Sequence, residues 1–156
     1  MPMIDVYAPA GAFADKSQLA RSLAAAVMVV EKVPDIPMFR ENTAVFIHEL
    51  PHDAISNVDG GADYVRVQVL TNAGALDRDK QIALVERLTA LVSGAPGNPA
   101  PPARIWVLLT EAAPDGGWGL WGSAHTNDEL IAAARSQMAA AAEAAQAAHN
   151  GEAPGA

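Results

Sequence analysis

Tyr64-Val65-Arg66-Val67-Gln68-Val69-Leu70 is the cleanest alternation in the chain. Successive strand side chains point to opposite faces, so the three valines share one face and Arg66 and Gln68 the other. The stretch predicts a half-buried strand, and the residues after it complete a unit. Asp77 can cap a helix carried by Ile82, Val85, Leu88 and Val92. Residues 93–102 are a proline-rich loop, unsuited to helix or central strand. Ile105-Trp106-Val107-Leu108-Leu109 then predicts a buried strand, and Asp115 to Gly122 a glycine-rich hairpin arm.

The same order stands upstream. Pro2 to Tyr7 alternates weakly, with Ile4 and Val6 on one face, and predicts a strand. Ala8 to Ala12 is a breaker segment. Asp15, with Gln18 three residues on, resembles a capping box. Leu19, Leu23, Val27 and Val30 extend the helix over 15–32, until Pro34 and Pro37 end it. Thr43 to Ile47 predicts a second strand that can run to Leu50, where Pro51 stops it, and Asn57 to Gly61 reads as a turn. Asp15 maps on Asp77, Glu49 on Glu111 and Gly60 on Gly122, each 62 positions apart.

These patterns predict an α+β fold with duplicated β-α-β units, about 1–62 and 63–125, in one domain over 1–125. Parallel crossovers are right-handed, so two units side by side make a four-stranded mixed sheet with two helices on one face. An uncovered apolar face on the other side calls for a partner, so the chain is expected to form an oligomer. A C-terminal alanine-rich helix over 126–149 follows, capped by Thr126 or Asn127, with Asp128 and Glu129 in its favourable first turn. Leu130, Ile131, Ala134 and Met138 can pack, which makes the helix a packing arm; the tail 150–156 is expected to be disordered.

Composition narrows the function. The 156 residues hold no cysteine, so thiolate chemistry and disulfides are excluded and a cytoplasmic location is expected. No apolar run reaches membrane length, and the first residues lack the basic-then-apolar plan of a signal peptide. A formal charge of −8 leaves no basic footprint for nucleic acid and disfavours anionic membranes. His48, His52, His125 and His149 show no ligand spacing, so no metal site is expected. The glycines at 116, 117, 119 and 122 do not open a helix after a strand, so they are not a phosphate cradle.

Pro2 remains. Once Met1 is cut away, its secondary amine could act as a base near neutral pH. Proline falls at a given position by chance about once in twenty, but here it heads the first strand of a duplicated fold. Pro2 followed at once by a strand, with paired β-α-β units of about sixty residues, resembles the tautomerase superfamily over residues 2–125. That superfamily includes 4-oxalocrotonate tautomerase, malonate semialdehyde decarboxylase and cis-3-chloroacrylic acid dehalogenase. Ile47-His48-Glu49-Leu50-Pro51 looks like the end of its second strand, Ile105-Trp106-Val107 like the fourth strand of the dehalogenase branch, and Trp118 to Gly122 like its aromatic-glycine hairpin.

The resemblance implies a homotrimer and a cofactor-free isomerase acting on a small keto or enol compound. Pro2 would move the proton, and an apolar wall made by Trp118, Leu120 or Phe46 would lower its pKa. A catalytically inactive binding or scaffold trimer is the alternative, as is a lyase or hydratase acting on an unsaturated acid. The family's carboxylate-binding arginines have no match here: Gly11, Ala12, Ala44, Asn72 and Gly74 stand in their places. That argues against a diacid substrate. A donor or cation near the developing enolate must then come from Arg40, Arg104, His48, Asn72 or backbone N–H groups. Each has a second reading: the arginines as surface pairs, His48 as a packed or interface residue, Trp118 as a subunit anchor.

Overall fold

The computed structural model describes residues 1–98, 100–115 and 117–151, without the side chains of 149–151. Strand β1 (Met3–Pro9) is followed by helix α1 (Lys16–Glu31), a short helix α2 (Pro37–Glu41) and strand β2 (Ala44–Leu50). The second round is β3 (Val65–Thr71), α3 (Arg78–Ser93) and β4 (Ile105–Glu111). A hairpin of β5 (Trp118–Leu120) and β6 (Ser123–His125) leads to helix α4 (Asn127–Gly151).

The sheet runs β2-β1-β3-β4. β1 is parallel to β2 with Met3 opposite Ala44, and β3 is parallel to β4 with Val65 opposite Ile105. β1 and β3 are antiparallel, with Val6 opposite Val67. The expected α+β fold with its four-stranded mixed sheet is therefore the observed one. Ile4, Val6, Val65, Val67 and Val69 are fully buried under α1 and α3, with Leu23, Val27, Leu84, Leu88 and Val92 packed down on them.

The two rounds start their helices alike. Asp15 Oδ1 accepts from the Gln18 amide at 2.8 Å and Asp77 Oδ1 from the Lys80 amide at 2.9 Å. Such a cap satisfies a backbone donor that the helix cannot. Glu49 accepts from Gly11 N at 2.9 Å and Glu111 from Gly74 N at 3.2 Å, both glycines having positive φ. In β5-β6 the two-residue loop Trp121-Gly122 also has positive φ at both positions, as a right-twisted hairpin requires.

Several expectations need correction. β1 continues through Ala8 and Pro9, read from the sequence as a breaker. The β1–β3 ladder ends at Tyr7 and Arg66, so the missing N–H of Pro9 is not called for on that side. Pro37 starts a helix rather than only ending one: it occupies the first turn of α2, where an amide proton is not needed, and α2 buries Met38. Ile82 and Val85 do not face the core of α3; Leu84 does, with Leu88 and Val92. Ile82 and Val85 instead lie half exposed beside Val107 and Leu109 of the edge strand β4. The uncovered sheet face is not uniformly apolar. Phe46, Trp106 and Leu108 are exposed on it, but His48 pairs with Asp5, and Arg66 stacks on Tyr7 at 4.2 Å. α4 includes Asn150 and Gly151, while residues 152–156 of the expected tail lie outside the described residues. No described helix is long and apolar enough to cross a membrane.

Candidate active site at the amino terminus

β1 and β3 run antiparallel with Met3 opposite Leu70, which carries Met1 alongside Asn72, just beyond the end of β3. Residues from three further elements close over it. Met1 is 3% exposed and packs with Met38 of α2, Trp118 of β5, and Leu130 and Ala134 of α4. Pro2 is buried behind it, its carbonyl accepting from Ala44 N at 3.3 Å.

The terminal amine donates to Asn72 Oδ1 at 2.9 Å. Asn72 Nδ2 donates to Asn127 Oδ1 at 2.9 Å, and Asn127 Nδ2 to the Ala73 carbonyl at 3.3 Å. This relay fixes the Asn72 amide with its oxygen toward the amine. Glu31, the last residue of α1, is 7% exposed, and its carboxylate accepts from the Thr71 hydroxyl. Burial pushes the amine below its ordinary 8.0 because the cation loses water, while the charge of Glu31 pulls in the opposite direction.

A cavity of about 390 Å³ opens beside the amine. Its polar side comes from Met1, Glu31, Asn72, Lys80, Asn127 and Arg135, and its apolar side includes Phe39, Leu130, Ile131 and Met138. The Lys80 ammonium donates to the carbonyls of Ala75 at 3.1 Å and Glu31 at 3.4 Å. A buried terminal amine, an adjacent carboxylate and a partly apolar cavity are the parts that proton transfer to and from carbon requires.

Solved structures share this architecture. Pt0534 inactivated by 2-oxo-3-pentynoate is 20% identical, with a TM-score of 0.65 over 81% of this chain and 98% of its own. A fused 4-OT wild-type asymmetric trimer, F6, is 21% identical with a TM-score of 0.64, covering 78% of this chain and 94% of its own. N1, of the cis-3-chloroacrylic acid dehalogenase family, is 18% identical with a TM-score of 0.63, over 83% and 90%. The chain has the fused 4-OT fold. No protein-family model matches the sequence, and no curated protein does. The resemblance to the tautomerase superfamily thus rests on the fold.

Within the fused 4-OT fold, the sequence-predicted residues fall into two groups. Pro2, Asn72 and Trp118 gather at the amino terminus. Trp118 is 5% exposed, and its indole N–H has no acceptor among the described residues. Arg40, Arg104 and His48 do not line the amine-side cavity. Arg40 pairs with Asp35 at 3.1 Å on the surface. His48 stands on the open sheet face, 2.6 Å from Asp5 and stacked on Tyr7. Arg104 pairs with Asp63 and covers the Tyr64 ring, before the start of β4. That is the opposite end of β3 from Asn72, about 26 Å away for eight residues of strand. A second cavity of about 280 Å³ lies at that end, between Tyr7, Tyr64, Arg66 and Trp106.

Glu31, Lys80 and Arg135 were missed from the sequence. Glu31 carried a signal: Leu23, Val27 and Glu31 form one stripe at four-residue spacing, so a carboxylate continues a core face. Lys80 and Arg135 carried none, since each sits at an ordinary polar position of its helix.

Proposed function

We propose that this chain is a cofactor-free tautomerase that works as a homotrimer in the cytoplasm on a small keto or enol substrate. Its base is the secondary amine of Pro2, freed by removal of Met1. The observation that carries the reading is the buried chain terminus at the head of β1, facing a cavity, in the fused 4-OT fold. Losing Met1 would move the amine back by one residue and free the volume its side chain fills between Met38, Trp118 and Leu130. The neutral amine would take a proton from carbon and return it at a second carbon. Its apolar surroundings would favour the neutral form. The buried indole N–H of Trp118, which has no acceptor among the described residues, would be the donor for a developing enolate oxygen once Met1 is gone, while the Asn72 oxygen would accept from the protonated amine. Among its relatives in fold, F6 fused 4-OT is a trimer, and the exposed Phe46, Trp106 and Leu108 give the open sheet face a reason to be covered.

The test joins intact mass to ketonisation of phenylenolpyruvate on one sample. Protein lacking Met1 should be active and its Pro2→Ala variant should not; equal rates would sink the reading. A monomer at micromolar concentration would overturn the trimer. A second reading, a binding or scaffold trimer without chemistry, is favoured by how fully Met1 is seated. Mass spectrometry showing Met1 retained, together with no turnover, would select it.

A further inference from the structure

Helix α4 does more than pack. Leu130 and Ala134 are buried against Met1, while Arg135, next along the helix, lines the cavity. Lys80 lines it from the first turn of α3. Among the described residues neither cation forms an ion pair. Lys80 is held by two carbonyls, which orient the ammonium without neutralising it. Among the described residues, the charged groups facing the cavity are the terminal amine, Glu31, Lys80 and Arg135. Cations outnumber the single carboxylate in a chain whose formal charge is −8. Neither Lys80 nor Arg135 stands where the superfamily resemblance places arginines; those positions hold Gly11, Ala12, Ala44, Asn72 and Gly74.

We infer that Arg135 and Lys80 form a carboxylate subsite, and that α4 is thereby a wall of the binding site. The ligand it fits is a monocarboxylate with an apolar body. The carboxylate meets the planar fork of Arg135 and the point charge of Lys80. The body lies against Leu130, Ile131 and Met138. A second carboxylate would face Glu31, and like charges brought together out of water are costly, so a dianion is selected against. The subsite deepens the tautomerase reading and rests on it for the nature of the substrate, although binding alone can be measured without turnover.

The experiment is calorimetric titration of the purified full chain with trans-cinnamate and with the uncharged trans-cinnamamide, for wild type, Arg135→Gln and Lys80→Gln. Arg135 is exposed on a helix and glutamine keeps helix propensity, so this variant retains the fold; thermal unfolding checks it. Wild type should bind cinnamate more tightly than cinnamamide. The Arg135→Gln change should weaken cinnamate about tenfold, the scale of a charge-assisted hydrogen bond, and leave cinnamamide unchanged. Cinnamate bound no better than cinnamamide by wild type, or equally by wild type and Arg135→Gln, overturns the subsite. Ketonisation separates the two claims. A protein that binds cinnamate through Arg135 but does not ketonise phenylenolpyruvate keeps the subsite and loses the tautomerase reading. One that ketonises with KM unchanged in Arg135→Gln does the reverse.

Discussion

The two β-α-β units begin their helices with the same cap and end them differently. At the offset that carries Lys16 onto Arg78 (78 − 16 = 62), Glu31 maps on Ser93 and Met1 on Asp63. In the first unit those positions are a buried carboxylate and a buried amine beside a cavity. In the second, Ser93 is a half-buried hydroxyl at the end of α3, and Asp63 is an internal residue paired with Arg104. α1 closes on Lys32 in the left-handed region at φ 61, whereas α3 closes on Gly94 at φ −82. The difference teaches where freedom to specialise lies. Caps and core valines are held alike because both units must build one sheet, while positions at the free chain end are released from that duty.

The comparison can be broken most forcefully at its start. In protein lacking Met1, Pro2→Ala should cost about 10²–10⁴ in ketonisation rate, the usual reach of general-base catalysis. Tyr64→Ala, at the matching place in the second unit, should leave the rate within about threefold. Equal losses would mean the first unit is not special. At the next level of effect, Asp15→Ala and Asp77→Ala should each lower stability by about 1 kcal/mol in denaturant unfolding, because the caps are equivalent. A large inequality would show that the units are less alike than their geometry. Lys32→Gly should raise stability by up to about 1 kcal/mol by removing a Cβ from a left-handed position. No gain would mean the lysine side chain offsets its own strain.

A subtler effect concerns the amine. In protein that retains Met1, its midpoint should lie below 8.0, and Glu31→Gln should lower it further by removing the charge that raises it. Above 8.0 the amine is neutral in both the folded and unfolded states. As pH falls, the unfolded chain binds the proton first, so this group makes the fold less stable on the acid side of 8.0. NMR titration of the amine would contradict this if Glu31→Gln raised the midpoint or left it in place. The smallest effect is expected at Arg40→Ala, whose partner Asp35 is largely solvated: less than about 1 kcal/mol in the same unfolding experiment.

Strand and helix positions were legible because their signals are local. Val65, Val67 and Val69 alternate, Asp15 and Asp77 cap, and both were read from neighbouring residues. The spacing puts Ile82 and Val85 on the core face because helical periodicity admits two stripes, and packing against α1 and the central strands selects the one through Leu84 and Leu88. Asn72 and Trp118 were found through the family resemblance. Arg135 was invisible because Leu130 and Ala134 mark the packing side of α4 but not that this side meets a distant chain end.

By itself, the sequence determined the periods, the caps, the duplicated plan and the placing of a proline at the head of the first strand. Each is encoded within a few residues and enforced by backbone sterics and alternate burial. Only the tertiary structure decided that Met1 is buried, that Asn72 bonds its amine while Glu31 lines the same cavity, and that α4 brings Arg135 there too. Those contacts join residues far apart in the chain. Their energy comes from packing a shared apolar cluster, for which no local spacing leaves a trace.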